Sequence, residues 1–201
     1  MEANRYRRKG LDATSRRIVE LVKAQGVEGR TVLEVGGGVG AVQIELLKAG
    51  ASRATNVELI PTYEEVAAEL LRDAGLADRV ERRVMDFAHA NGQVEGADIV
   101  IMNRVICCYP DAPRLAAAGA DHARGLLVMS FPRASWWMRL GLGIANLMLW
   151  ATRREFHIFV HPPARIFATS EQHGLAPLVD QRGVLWTVAA LRRPGSTVAT
   201  Q

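Results

Sequence analysis

Along this chain the apolar positions switch repeatedly between a period near 3.6 residues and a period of 2. Asp12 is placed to cap a helix reaching about Ala24, with Ile18, Leu21 and Val22 on its inner face and Gly26 beyond its end. Thr31–Val35 is a β-branched run and reads as a strand. Gly36–Gly40 is a glycine-rich turn, and Val42–Lys48 a helix stopped by Gly50. A strand is expected over Arg53–Val57, a helix over Pro61–Ala74 with proline in its first turn, and a third strand over Arg79–Val84. Ala97–Met102 is a fourth strand, Ala112–Arg124 a helix and Gly125–Phe131 a fifth strand. Ile99-Val100-Ile101-Met102 and Leu126-Leu127-Val128-Met129 are apolar at every position, as strands covered on both faces must be.

After the fifth strand the alternation changes. Ser135–Thr152 reads as an apolar helix, Glu155–Val160 as a short strand or extended loop, and Pro162–His173 as a further helix. Ala176–Gln181 and Val184–Leu191 flank Arg182-Gly183, a connection so short that the two strands must run antiparallel. The order predicts one α/β domain: a Rossmann-like, doubly wound, mostly parallel seven-stranded sheet with an antiparallel C-terminal hairpin. Its parts are an N-terminal helical cap (1–30), a cofactor-binding half (31–131), lid or insert helices (132–174) and the terminal hairpin (175–192).

Composition changes little in this picture. The chain has 201 residues, 49% hydrophobic and 23% charged, which suits one globular core. A net charge of +4 comes from dispersed arginine and a cluster at Arg5, Arg7, Arg8 and Lys9, with Tyr6 its single aromatic, so nucleic acid is not expected as a partner. The two cysteines, Cys107 and Cys108, are adjacent, and a bridge between them would be strained. Reduced thiols and a start without an apolar signal region make a cytoplasmic protein the expectation.

The chemistry concentrates in Val32-Leu33-Glu34-Val35-Gly36-Gly37-Gly38-Val39-Gly40. A strand, a glycine turn and a helix start let a ligand lie against backbone N–H groups. Glu58 follows 22 residues after Gly36, where a carboxylate can accept from both hydroxyls of a ribose. Gly36-x-Gly38-x-x-Ala41 also satisfies the dinucleotide fingerprint, so an NAD-binding oxidoreductase is the rival reading. Against it stand Glu34, which repels a pyrophosphate and attracts an ammonium, and a length too short for a separate substrate domain. The helix preceding the first strand and the terminal hairpin point the same way.

Glu34-Val-Gly36-Gly-Gly38-Val-Gly40 resembles motif I, an acidic residue followed by three spaced glycines, of class I S-adenosylmethionine-dependent methyltransferases. The resemblance spans roughly residues 30–191 by order of elements and is specific in the first third. It implies S-adenosylmethionine as cofactor, with Glu34 toward its methionine end and Gly36, Gly38 and Gly40 passing beside it. It further implies Glu58 on the ribose, Leu59 beside the adenine, and Asp86 and Phe87 near the adenine amine. Asn103 and Arg104 then lie in a loop lining cofactor and acceptor. The Asn-Pro-Pro-Tyr motif of amino-directed DNA and protein enzymes is absent, since Arg104 follows Asn103. No metal site is expected.

Catalytic candidates are Tyr109, which either hydrogen-bonds or deprotonates an acceptor or simply packs, and His157 and His161, four apart and so on one face of an extended segment. Tyr6 is a candidate for the cofactor carboxylate, with a solvated basic tail as the alternative. Ser135–Thr152 is apolar on nearly every side and must be covered. A lid over an apolar small molecule is preferred, with a homodimer interface or a membrane surface as alternatives. Elaboration at this place is similar to that of magnesium-protoporphyrin methyltransferases. The expected activity is methyl transfer to a small, hydrophobic acceptor, on oxygen before nitrogen before carbon. A cofactor-binding partner protein without turnover is the non-enzymatic alternative.

Overall fold

A computed structural model describes residues 2–90, 92–133, 135–152 and 158–196. Seven strands form one sheet in the order β3-β2-β1-β4-β5-β7-β6. They are β1 (Thr31–Val35), β2 (Arg53–Glu58), β3 (Val80–Val84), β4 (Ala97–Asn103), β5 (Ala123–Pro132), β6 (Ala176–Arg182) and β7 (Trp186–Arg192). The first five run parallel, and β7 pairs antiparallel with both β5 and β6. The expected Rossmann-like sheet is thus observed, hairpin included. What the chain order did not reveal is that β7 slots between β5 and β6.

Strand residues alternate between two cores. Val32, Ile99, Ile101, Leu126 and Val128 face one side, where α2 (Ala13–Ala24), α3 (Ala41–Lys48) and α4 (Glu64–Asp73) bring Ile18, Val22, Ile44, Leu46 and Leu70. Leu33, Val100, Met102, Leu127 and Met129 face the other, against Leu115 and Ala116 of α5 (Ala112–His122) and Ile166 of α7 (Pro163–Gln172). Every one of these strand residues is buried, so the continuous apolar runs are a period-2 pattern read on both faces at once. Asp98 pins the starts of β1 and β4 together. Its Oδ2 accepts from the Thr31 amide at 2.9 Å and from the Thr31 hydroxyl at 2.8 Å.

Several boundaries moved by one to three residues, among them the start of β7, which is Trp186 and not Val184. α5 ends at His122, and β5 runs two residues earlier and one later than expected. The segment Glu2–Lys9 is a helix, α1, rather than a free arm. Arg7 pairs with Asp73 at 2.8 Å and Glu69 at 3.3 Å on α4. The Tyr6 hydroxyl donates to Glu45 of α3 at 2.5 Å, so its partner is a helix carboxylate and not a cofactor carboxylate. Sequence pattern missed this helix because eight residues carry little periodicity, and a hydrogen bond to α3 and ion pairs to α4 supply what burial does not.

α6 (Trp136–Ala151) is the predicted apolar helix, and no described element packs along it. Asn146, the polar interruption in its sequence, has a tertiary role. Its Nδ2 donates to the Ile158 carbonyl at 2.8 Å and its Oδ1 accepts from the Ile158 amide at 2.9 Å. Of the expected extended segment 155–160, residues 155–157 lie outside the described residues, and 158–160 form a loop. Among the described residues no helix is long and apolar enough to cross a membrane.

Ile101 sits fully buried at the centre of β4. Replacing it with Ala is expected to destabilise the fold by about 2–5 kcal/mol, through lost transfer energy and the cavity left behind. Urea unfolding of Ile101→Ala against the parent reads this difference directly.

Candidate functional site

Strand order reverses between β1 and β4, and a cavity of about 480 Å³ opens there at the carboxyl ends of the strands. Gly36, Gly37 and Gly38 form part of its wall, with Glu34 beneath them and Glu58, Leu59, Asp86 and Phe87 along the ends of β2 and β3. Asn103, Arg104 and Tyr109 close it from the β4 side. Gly40 is the one expected cofactor residue outside the lining. It shapes the turn instead, entering α3 at φ +77°.

The glycines are dictated by space. A Cβ on Gly36 would overlap the Val105 side chain, and one on Gly37 would overlap Asn56 and Glu34. The loop therefore presents bare backbone to the cavity, and a ligand can approach it closely. Glu34 is 1% exposed and accepts from the Gln43 amide at 3.1 Å. Glu58 is 7% exposed; its Oε2 accepts from the Gly38 amide at 2.8 Å and its Oε1 from the Leu59 amide at 2.9 Å. Gln43, Asn56 and Arg82 escaped the sequence reading, yet they support this loop. Asn56 donates to Gln43 at 3.2 Å beneath it. Arg82 donates to the Gly38 carbonyl at 3.0 Å while gripping Glu64 at 2.7 Å. Their only sequence signal was polarity at positions that the strand and helix patterns assign to the inside.

Asp86 joins three groups. It accepts from the Ala88 amide at 3.0 Å and from the Tyr109 hydroxyl at 3.0 Å, and it pairs with His89 at 2.8 Å. Burial pushes its carboxyl up, but the His89, Tyr109 and Ala88 contacts outweigh this and hold it below the usual range. Burial and then the bond to Asp86 push the Tyr109 phenol up, so it stays protonated at neutral pH.

Arg104 takes the left-handed region at φ +61°, a conformation that costs a non-glycine residue about 1–3 kcal/mol. Three contacts hold it there. Its amide donates to Ser130 Oγ at 2.9 Å, its guanidinium pairs with Asp12 at 2.7 Å, and it lies 5.0 Å over the Trp186 ring. Asn103 is likewise held, between Ser15 Oγ at 3.1 Å and Ser130 Oγ at 2.7 Å. The N-cap of α2 is thereby part of the site's frame.

The remaining candidates lie elsewhere. His161 borders a separate groove with Pro110, Asp111 and Arg165, and its Nε2 is 3.0 Å from the Tyr109 carbonyl oxygen. His157 lies outside the described residues. No described residue from 132 to 174 lines the large cavity, so α6 does not cover it here. Cys107 and Cys108 are free thiols, one buried and one exposed. Among the described residues no group of three or more His, Cys, Asp or Glu is arranged to hold a metal.

Three carboxylates border the cavity, and its one described cation, Arg104, is already paired with Asp12. That charge disfavours a pyrophosphate and favours a cationic ligand. A doubly wound sheet with such a loop at its switch point defines a class: the Rossmann-like fold of methyltransferases. Comparison with known proteins agrees. Residues 33–122 match a family model described as a methyltransferase domain. Magnesium protoporphyrin IX methyltransferase from Synechocystis PCC 6803, solved with bound SAH, aligns with TM-score 0.69 at 20% identity, over 90% of this chain and 82% of that one. An O-methyltransferase family protein from Burkholderia thailandensis aligns with TM-score 0.72 at 21% identity, over 90% and 56%. An O-methyltransferase family 2 protein from Planctomyces limnophilus, in complex with apigenin, aligns with TM-score 0.65 at 15% identity, over 92% and 63%. These likenesses speak for the fold. No curated protein matches the sequence. Residues 33–122, glycine loop included, are thus similar to a methyltransferase domain, and the chain takes the Rossmann-like methyltransferase fold.

The Asp12 contacts generate a pH prediction. Burial raises the Asp12 carboxyl, but the Ser15 amide and hydroxyl and the Arg104 guanidinium together bring it below its ordinary value. The folded state then binds its proton less readily than the unfolded chain. The stability it contributes is complete above the ordinary carboxylate value of about 4 and is lost as pH falls through the lower folded value. Asp12→Asn should lower stability at neutral pH and flatten the acid limb of the stability profile, as read by thermal melts across pH.

Proposed function

We propose that this protein is a methyltransferase that transfers the methyl group of S-adenosylmethionine to a small, apolar acceptor, at oxygen before nitrogen before carbon. The observation that carries this is the cavity's lining. Carboxylates stand beside the glycine loop, and the rest of the wall is largely apolar, with Val57, Ile60, Met85, Val105 and Leu115. A nucleic-acid substrate would need unpaired cations along its path. Arg82 and Arg104, the cations nearest the loop, are held by Glu64 and Asp12.

The residues fit the cofactor. Gly36, Gly37 and Gly38 line the cavity, and at Gly36 and Gly37 neighbouring side chains leave no room for a Cβ, so the loop stays bare backbone where the cofactor would lie. Glu34 is positioned to attract an ammonium, and Glu58 to accept from ribose hydroxyls. When bound, S-adenosylmethionine supplies an activated methyl on a positively charged sulfur. The chain's own work is to orient and to exclude water, which suffices for much of the acceleration when the leaving group is this good. Tyr109, kept protonated, donates a hydrogen bond and does not remove a proton. In this reading it orients, together with Asp86, one end of the bound molecules.

The apigenin complex of the Planctomyces limnophilus protein supports an apolar, ring-containing acceptor as the first class to assay. Calorimetric titration should show S-adenosylhomocysteine binding and no binding of NADH; the reverse would return Gly36, Gly38 and Ala41 to a dinucleotide loop. Glu58→Ala should weaken that binding by more than ~1 kcal/mol, the scale of a hydrogen bond to a charged group. Parent-like affinity in the variant would remove Glu58 from the ribose.

A further inference from the structure

We infer that α6 and the tip of the β6–β7 hairpin form one docking surface for an anionic lipid bilayer. α6 leaves Trp136, Leu140, Ile144, Leu147, Met148 and Trp150 exposed, and no described element packs along it. At the hairpin tip Val184 is 78% exposed and Leu185 is exposed as well. The two features adjoin, since the Arg133 amide, three residues before α6, donates to the Leu185 carbonyl at 2.9 Å. Together they make an exposed apolar area larger than scattered surface residues produce.

Three observations select lipid as the occupant. Tryptophan stands at each end of the helix, with Trp136 at 77% and Trp150 at 71% exposure, and amphipathic rings at the ends of an apolar stretch suit the level of lipid headgroups. In the sequence, residues 133–152 carry two basic residues, Arg133 and Arg139, and no acidic one, a charge balance that suits an anionic membrane surface. The helix has 16 residues, about 24 Å at 1.5 Å each, short of the ~30 Å hydrocarbon core, so it would lie in the interface and not cross.

Docking here bears on access to the cavity. The hairpin tip follows the carboxyl end of β5, and the cavity opens at the carboxyl ends of the parallel strands. An acceptor dissolved in the bilayer would then lie at the end of the sheet where the site opens. The docking itself rests on the α6 surface and not on the identity of the acceptor.

The test is co-sedimentation of the full chain with phosphatidylcholine vesicles, with and without phosphatidylglycerol, beside the double variant Trp136→Ser/Trp150→Ser. Light scattering of both proteins and S-adenosylhomocysteine titration run in parallel. The expected result is binding to the phosphatidylglycerol vesicles that weakens in high salt and falls at least tenfold in the variant, whose ligand affinity stays that of the parent. Absence of vesicle binding overturns the inference. So does a dimer of the parent that the two substitutions dissolve, which would assign the face to a second copy. Vesicle binding by a protein that takes no S-adenosylhomocysteine would leave the docking surface standing and sink the cofactor reading instead.

Discussion

The hydrogen bond from the Gly38 amide to Glu58 is the contact on which this site depends. It joins the turn after β1 to the end of β2, two points brought side by side by parallel pairing. To reach Glu58 the chain must turn sharply with no side chain on Gly36 or Gly37, because Val105, Asn56 and Glu34 fill the space where one would go. The same bareness that lets the loop pack makes it a ligand cradle. Arg82 holds the other side of the peptide through the Gly38 carbonyl, so the loop is fixed by one buried acid and one nearly buried base. Glu58 accepts through both oxygens and Arg82 is paired with Glu64, and such partners are what make charged groups tolerable inside.

Around that contact the structure spends polar groups on position. Asn103 and Arg104 sit where a cofactor-lining loop is expected, yet their side chains turn toward Ser15, Asp12, Ser130 and Trp186. They present backbone and the flank of a side chain to the cavity, and the left-handed φ of Arg104 is the conformational cost of doing so. A buried, preorganised frame of this kind serves a reaction in which alignment and desolvation matter more than proton transfer. The protonated state of Tyr109, locked to Asp86, agrees with that division of labour.

The outer part of the molecule follows another logic. The cofactor half is covered on both faces by helices whose apolar residues are buried, whereas α6 turns its large side chains to solvent. A helix with this composition is unstable as a bare surface and calls for a partner, and the basic, acid-free composition of residues 133–152 biases which one. Methyl transfer to an apolar acceptor and a surface suited to lipid are consistent with each other, because an acceptor with little solubility in water is found where the membrane is.

The sequence by itself determined the order of the elements, the doubly wound sheet, the antiparallel ending and most of the cavity wall. Periodicity reports burial, and burial decides strands and helices; Ile99–Met102 and Leu126–Met129 had no other place to go than between two helical layers. Glycines with one acid before them and another at the next strand end are likewise a local signal. Tertiary structure alone decided the rest. Whether Tyr6 met a ligand or Glu45, whether α6 covered the cavity or left it open, and that His161 lies in a different groove from Glu58 all depend on which distant segments are brought together. So does the frame of Gln43, Asn56 and Arg82, whose partners lie 13 to 44 residues away and whose pattern in the chain is no more than a polar residue where an apolar one was due.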